Sequence, residues 1–371
     1  MEKNETKIKS IETYRGAIPL HTPFKTALRT VTVAETIIVK ITCADGTAGW
    51  GEAPPTHVIT GESLASIDYV IHSIFKPLLI GESLQMREKL FQKIESSVVR
   101  NTSAKAAVDM ALYDCIAKQA NLPLYQFIGG VQESIETDYT VSVNTPEEMA
   151  QDAKKYIENG FSILKVKVGK DEIATDIKRI QAIRNVIGTD VPIRLDANQG
   201  WQAKEAVRAI RLMEELDLGI ELIEQPVIAH DLEGLKYVTE NTETPIMADE
   251  SVFSVYDAKR VLDMGAADLI NIKLMKTGGI HQAIKIATLA EAFGVKCMVG
   301  SMIETKIGIT AAAHFAASHP NIAHYDLDAP LMLIGDIANG GISYKNNQIQ
   351  LGNAAGLGIQ TINELYVAEK A

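Results

Sequence analysis

Apolar and polar residues alternate with period two between residues 8 and 53, in IETYRGAIPL and again in AETIIVKITCADGTAGWGEA. The Asp45-Gly46 pair inside the second run is a hairpin signal, so this stretch predicts an antiparallel sheet. Between the runs, residues 21–30 (HTPFKTALRT) are polar, contain Pro23, and read as a loop. The period then lengthens. Over residues 103–120, Ala106, Ala107, Met110, Ala111 and Ala117 recur at helical spacing behind Thr102 or Ser103 as a cap. Pro123 and Gly129-Gly130 punctuate the end of that helix.

After residue 130 the texture becomes strand–helix alternation. Strands are expected to begin near Asp138, Ile163, Ile193, Glu221, Ile246, Leu269, Lys296 and Ile322, which is eight strands with amphipathic helices between them. Runs such as ILKVKV and LINIKLM are apolar on both faces, as buried parallel strands are. An open doubly wound sheet shares the alternation, but the Gly-rich phosphate turn that goes with it is missing after the first strands. Eight units predict a closed (β/α)8, TIM-like barrel over residues 131–330. Residues 331–371 are Gly-rich with short strand-like runs and are expected to fold back onto residues 1–130.

Composition narrows the setting. A chain of 371 residues, 46% hydrophobic and 22% charged, is that of a soluble globular protein. The formal net charge of −11 and the lack of a Lys/Arg cluster argue against nucleic acid and anionic membranes as partners. Cys43, Cys115 and Cys297 lie far apart without CxxC spacing, so neither a disulfide framework nor a thiolate metal site is indicated. The N-terminal MEKNETKIKS has no apolar signal core, and the reading is cytoplasmic.

The chemistry sits at strand ends. Lys165 and Lys167 share a face of the second barrel strand, and Asp196, Glu224, Asp249 and Lys273 follow at the ends of successive later strands. The gaps after Lys167 are 29, 28, 25 and 24 residues, the period of a strand plus a helix. Active sites of such barrels lie at that end. Three carboxylates converging there require a cation, and all-oxygen ligation selects Mg²⁺ or a similar hard ion. With a lysine on either side, the arrangement suits removal of a proton from a carbon next to a carboxylate, with the metal stabilising the enolate. Lys167 and Lys273 read as the two bases and Lys165 as their electrostatic helper, their pKa values depressed by burial and neighbouring cations.

The run AAVDMALYDCIAKQANLPLYQFIGG, the strand KVK, the ends DAN, EQP and ADES, and NIKLMKTGG together resemble the muconate-lactonizing subgroup of the enolase superfamily. The resemblance covers essentially the whole chain. It implies an N-terminal α+β capping domain over a modified barrel, a homo-oligomer, and specificity set by capping-domain loops, here residues 21–29 and 54–60. Within the subgroup the same lysines and metal serve cycloisomerisation, dehydration, racemisation and epimerisation, so the substrate must be read from other residues. Arg29 lies in the first of those loops, and Asp326 and Asp328 follow the eighth strand. Together they describe a substrate with a carboxylate for the metal, an ammonium for the aspartates and a second carboxylate for Arg29. The pattern is similar to that of the L-Ala-D/L-Glu epimerases, which implies a dipeptide substrate, recycling of cell-wall peptides, and Thr140 as a further substrate contact. Two rivals remain at this point: an N-succinylamino acid racemase or o-succinylbenzoate synthase, which needs no ammonium pocket, and a non-catalytic barrel binding a metal-chelated ligand.

Overall fold

The alternating N-terminal segment builds a four-stranded antiparallel sheet whose strands lie in the order Val367–Lys370, Ile8–Lys25, Thr30–Cys43 and Ala48–Ala53. The structure is a computed structural model describing residues 6–370; the polar Met1–Glu5 run lies outside the described residues. The predicted loop at 21–30 is shorter than expected. The first strand continues to Lys25 and the second begins at Thr30, so only residues 26–29 form the turn. The ladder resumes at Phe24 opposite Val31 after an irregularity past Pro19, and the unpaired part accommodates Pro23.

The alanine-rich helix is observed over Thr102–Gln119, and its residues from Ser103 to Ala117 are all buried. It lies against Ala48–Ala53, where Gly49 and Gly51 leave room for its backbone: a Cβ on either would fall within about 2.1 Å of the carbonyl of Ala111 or Ala107. The expected Thr102 or Ser103 cap is absent. Asn101 occupies the N-cap position in a left-handed conformation without a side-chain bond, and the Glu62 carboxylate accepts the Ser103 and Ala104 N–H groups instead. A capping anion supplied from another segment leaves no local signature, which is why the sequence pattern misplaced it.

Eight parallel strands follow in sequential order: Tyr139–Val141, Leu164–Lys167, Ile193–Asp196, Ile220–Glu224, Ile246–Ala248, Leu269–Lys273, Lys296–Gly300 and Ile322–Tyr325. The Asp138 N–H donates to the Tyr325 carbonyl at 3.3 Å and ties the first strand to the eighth, so the sheet curls into a barrel. Seven of the strands lead into crossover helices; the eighth leads into a 3₁₀ turn, Ala329–Met332, which is where the barrel departs from a regular (β/α)8 pattern.

The barrel interior is layered. Arg194 pairs with Asp138 at 2.9 Å and with Glu221 at 2.6 Å, and Leu222, Met247, Leu269 and Met298 form a separate apolar cluster. Two residues further along the same strands come Asp196, Glu224, Asp249 and Asn271. Side-chain alternation therefore places them inside the barrel, one layer nearer the C-terminal mouth.

Candidate active site

Strand register sets the floor of the site. Lys167 lies opposite Asp196, Asp196 opposite Glu224, and Thr140 opposite Lys165. Lys273 lies opposite Gly300, where a Cβ would come within 3.2 Å of the lysine Cε, so glycine on the seventh strand clears the space the amine occupies. All three lysines are at least 94% buried, and Asp196, Glu224 and Asp249 are at most 1% exposed. Lys165 Nζ stands 2.6 Å from Glu224 Oε2 and 2.6 Å from Asp326 Oδ2. Lys167 Nζ is 2.5 Å from Asp196 Oδ2, and Lys273 Nζ is 2.7 Å from Asp249 Oδ2.

This packing reverses one expectation. Burial pulls Lys273 down, but Asp249 and Glu224 more than offset it and hold the amine above its ordinary value. Lys165 is likewise pulled down by burial and raised well above the usual range by Asp326, Glu224 and Asp196. Neighbouring anions, and not neighbouring cations, dominate as the groups stand here. Burial pushes Glu224 up to about 7, with Asp196 adding to the effect, whereas burial of Asp249 is outweighed by Lys273 and Lys276, which hold it well below the usual carboxylate range.

Among the described residues no three His, Cys, Asp or Glu side chains already converge as a ligand set. Lysine amines stand between the three carboxylates. The donors nonetheless fit a hard dication. No donor reaches Glu224 Oε2 or Asp249 Oδ1 in hydrogen-bond geometry, although Lys165 and Lys276 balance their charge at 2.6 and 2.5 Å. Three buried carboxylates at the ends of consecutive strands, two with an oxygen unspent, are oxygen ligands of the kind Mg²⁺ takes.

One cleft joins these groups to the rest of the predicted set. Lys167, Lys273, Asp249, Arg29, Thr140, Asp326 and Asp328 all line it. The Asp328 Oδ2 accepts the Thr140 N–H at 2.7 Å. Burial and Asp326 together push Asp328 up to about 7, while Lys165 and Lys167 outweigh burial at Asp326 and hold it at about 2. Arg29 sits in the 26–29 turn, which is closed by the Thr26 N–H on the Arg29 carbonyl. Its guanidinium forms no ion pair or hydrogen bond among the described residues, and burial lowers its pKa. Leu28, Val58 and Ile59 complete the wall supplied by the two N-terminal loops.

The sequence reading missed several lining residues: Asn198, Glu250 and residues 301–303. Asn198 and Glu250 stand within the DAN and ADES strand ends, where a signal existed. Residues 301–303 follow the end of the seventh strand, Lys296–Gly300, and carry no charge, so only the barrel geometry finds them. Lys276, fully buried and 2.5 Å from Asp249 Oδ1, was also missed although it lies inside NIKLMKTGG.

Residues 9–129 match the mandelate racemase/muconate lactonizing enzyme N-terminal domain, and residues 148–365 match the enolase C-terminal domain-like family. The chain belongs to the mandelate racemase/muconate lactonizing enzyme family. It is 62% identical over 353 residues to the L-Ala-D/L-Glu epimerase of Bacillus subtilis, an alignment covering 95% of this chain and 96% of that one. A substrate-liganded structure of the Bacillus subtilis enzyme superposes with a TM-score of 0.96 over 96% of this chain and 99% of that one, at 61% identity. A dipeptide epimerase from Enterococcus faecalis, solved with Mg and L-Leu-L-Tyr, gives a TM-score of 0.93 at 45% identity, covering 96% and 100% of the two chains.

Proposed function

We propose that this family member is a Mg²⁺-dependent dipeptide epimerase that inverts the α-carbon of the C-terminal glutamate of L-Ala-L-Glu and L-Ala-D-Glu. One observation carries the reading: an unpaired, half-buried arginine, two buried acids and two buried lysines all line the same cleft. A zwitterionic dipeptide with an acidic side chain matches each charge with its opposite; an N-succinylated amino acid brings a second carboxylate to the aspartates and is repelled.

Asp196, Glu224 and Asp249 would hold the ion, which when bound supplies positive charge to the substrate carboxylate oxygens as the α-proton leaves. Lys167 and Lys273 exchange the proton at the α-carbon, one removing it from one face and the other returning a proton to the opposite face. The acids that keep Lys273 charged are those assigned to the ion, so drawing them away lowers the pKa of that amine toward the range a base needs. Lys165 keeps a fixed positive charge beside the reacting carboxylate. Asp326 and Asp328 take the ammonium, with the Thr140 N–H fixing Asp328, and Arg29 takes the γ-carboxylate. The same reading assigns residues 1–130 to the cap, 131–330 to the catalytic barrel and 331–371 to the segment returning to the cap. It also places a homo-oligomer in the cytoplasm, in the recycling of murein peptides.

Proton NMR of L-Ala-L-Glu with the protein and Mg²⁺ in D₂O tests this. Loss of the glutamyl α-proton signal with appearance of the L-Ala-D-Glu diastereomer is expected. No exchange with Mg²⁺ bound, or faster exchange of N-succinylamino acids, overturns the dipeptide assignment.

A further inference from the structure

Residues 301–303 form the wall of the cleft contributed by the seventh strand, and what holds them in place comes from the other domain. Glu52, on the strand Ala48–Ala53, is fully buried. Its Oε1 accepts the Thr305 N–H at 2.7 Å, its Oε2 accepts the Thr305 hydroxyl, and the Gly308 N–H donates to the same carboxylate. Thr305 is the N-cap of the helix Lys306–Ala316, so an anion from the N-terminal sheet caps a barrel helix at its positive end. Glu304, 1% exposed, folds back on the wall: its Oε1 accepts the Met302 N–H at 2.9 Å and its Oε2 has no hydrogen-bond partner among the described residues. The two carboxyls face each other. Glu304 Oε2 and Glu52 Oε1 lie within 2.3 and 2.8 Å of the same point, the place a Cβ on Gly308 would take, and glycine there lets them approach.

We propose that Glu52 is a positioning residue for the proposed epimerisation: from the N-terminal sheet it clamps Thr305 and the first turn of the following helix, and through Glu304 and Met302 fixes the wall against which the dipeptide binds. Substrate affinity, and not proton transfer, depends on the clamp, because Glu52 touches none of the lysines. The joint is also sensitive to pH. Burial raises Glu52 to about 7, and burial and Glu52 together raise Glu304 to about 8. Among the described residues Lys273 is the cation that lowers Glu304, and neither carboxyl forms an ion pair. Near neutral pH the pair retains a proton. Losing that proton as the pH rises puts two like charges in a dry site, and in this proposal their repulsion loosens the joint.

The inference rests on the dipeptide reading, so two kinds of measurement keep the failures apart. In steady-state assays on L-Ala-L-Glu with Mg²⁺, Glu52→Ala is expected to raise KM about tenfold and to change kcat less than about threefold. Glu52→Gln, which keeps the shape and an acceptor for Thr305, is expected to behave as wild type at pH 7 and to lack the rise in KM that is expected of wild type between pH 7 and 9. If Glu52→Ala does not fold, Thr305→Val takes its place, with a KM increase of about threefold that Thr305→Ser restores. A fall in kcat at constant KM, a Glu52→Gln profile that still rises, or an unchanged Thr305→Val overturns the proposal. Hydrogen exchange of the backbone amides of residues 301–305 needs no substrate. Faster exchange in Glu52→Ala, or in Thr305→Val, supports the clamp even where wild type turns over no dipeptide, and unchanged exchange refutes it.

Discussion

Arg29→Met is the substitution that separates a specificity contact from a structural one. Among the described residues the guanidinium has no partner, so its removal breaks no native ion pair and leaves no buried anion stranded. The whole effect should fall on the ligand. At about 3 Å and an effective dielectric of about 20, two unit charges gain roughly 5 kcal/mol before either is desolvated. Removing one partner of a desolvated, hydrogen-bonded charge pair costs about 2–5 kcal/mol. Arg29 is already partly desolvated by its burial, so part of the cost of binding is met in the free protein. A loss of about 3 kcal/mol is expected, a fall of about 150-fold in kcat/KM for L-Ala-L-Glu. L-Ala-L-Gln offers the same backbone without the charge, and its kcat/KM should change less than about threefold in the variant. Deuterium exchange at the α-carbon measures both substrates in one experiment. An equal loss for the two would refute the reasoning, because it would mean that Arg29 shapes the 26–29 turn and does not read the side chain.

Lys167→Ala and Lys273→Ala should each abolish epimerisation while leaving slow α-proton exchange in one epimer only, opposite for the two variants; α-proton NMR on both diastereomers checks this, and exchange of both epimers by either variant contradicts the two-base assignment. Mg²⁺ at about a hundred times its Kd should raise the unfolding free energy by about 2.7 kcal/mol, and Asp249→Asn should remove most of that gain in a thermal or urea titration. His314 is buried, accepts the Tyr125 N–H at 3.0 Å, and is lowered by burial to about 3. The unfolded chain therefore binds more protons than the native one between pH 6.5 and 3, and stability falls as pH drops through that window. His314→Asn, which keeps an acceptor near Nδ1, should lose about 2–3 kcal/mol less than wild type between pH 6.5 and 4.5 by urea titration.

Much of this fold is legible because parallel strands buried on both faces leave continuous apolar runs that polar groups interrupt only where they are needed. Every one of the eight strands begins within one residue of its expected start. The reading lost accuracy where structure depends on distant partners. Residues 21–25 join the first strand because the antiparallel ladder resumes beyond Pro19, which no local composition reveals. The helix Thr102–Gln119 is capped by Glu62, and the helix Ile280–Ala292 by Asp109, which accepts the Ile280 and His281 N–H groups past Gly279. That glycine has φ +115 and no room for a Cβ beside Asp109, so it is the seat of a long-range cap. His314 is a packed imidazole that accepts the Tyr125 N–H, and Cys297 is a thiol that burial raises to about 12.

The site divides along the same line. The floor of the cleft comes from strand ends whose spacing in the sequence is the spacing of the fold, so the acids and lysines could be assembled from period alone. Its wall and roof come from residues 301–303 and from the turns at 26–29 and 58–59, where charge is sparse and only packing gives the residues meaning. On the proposed function, specificity is written where the sequence is least periodic, and chemistry where it is most. A substitution in the floor should cost turnover on every substrate, whereas one in the roof should redistribute activity among dipeptides. Glu52 and Thr305 join the two, since a residue of the N-terminal sheet there sets the position of a barrel wall. Changes at that joint should alter affinity for all dipeptides together, a signature distinct from that of either floor or roof.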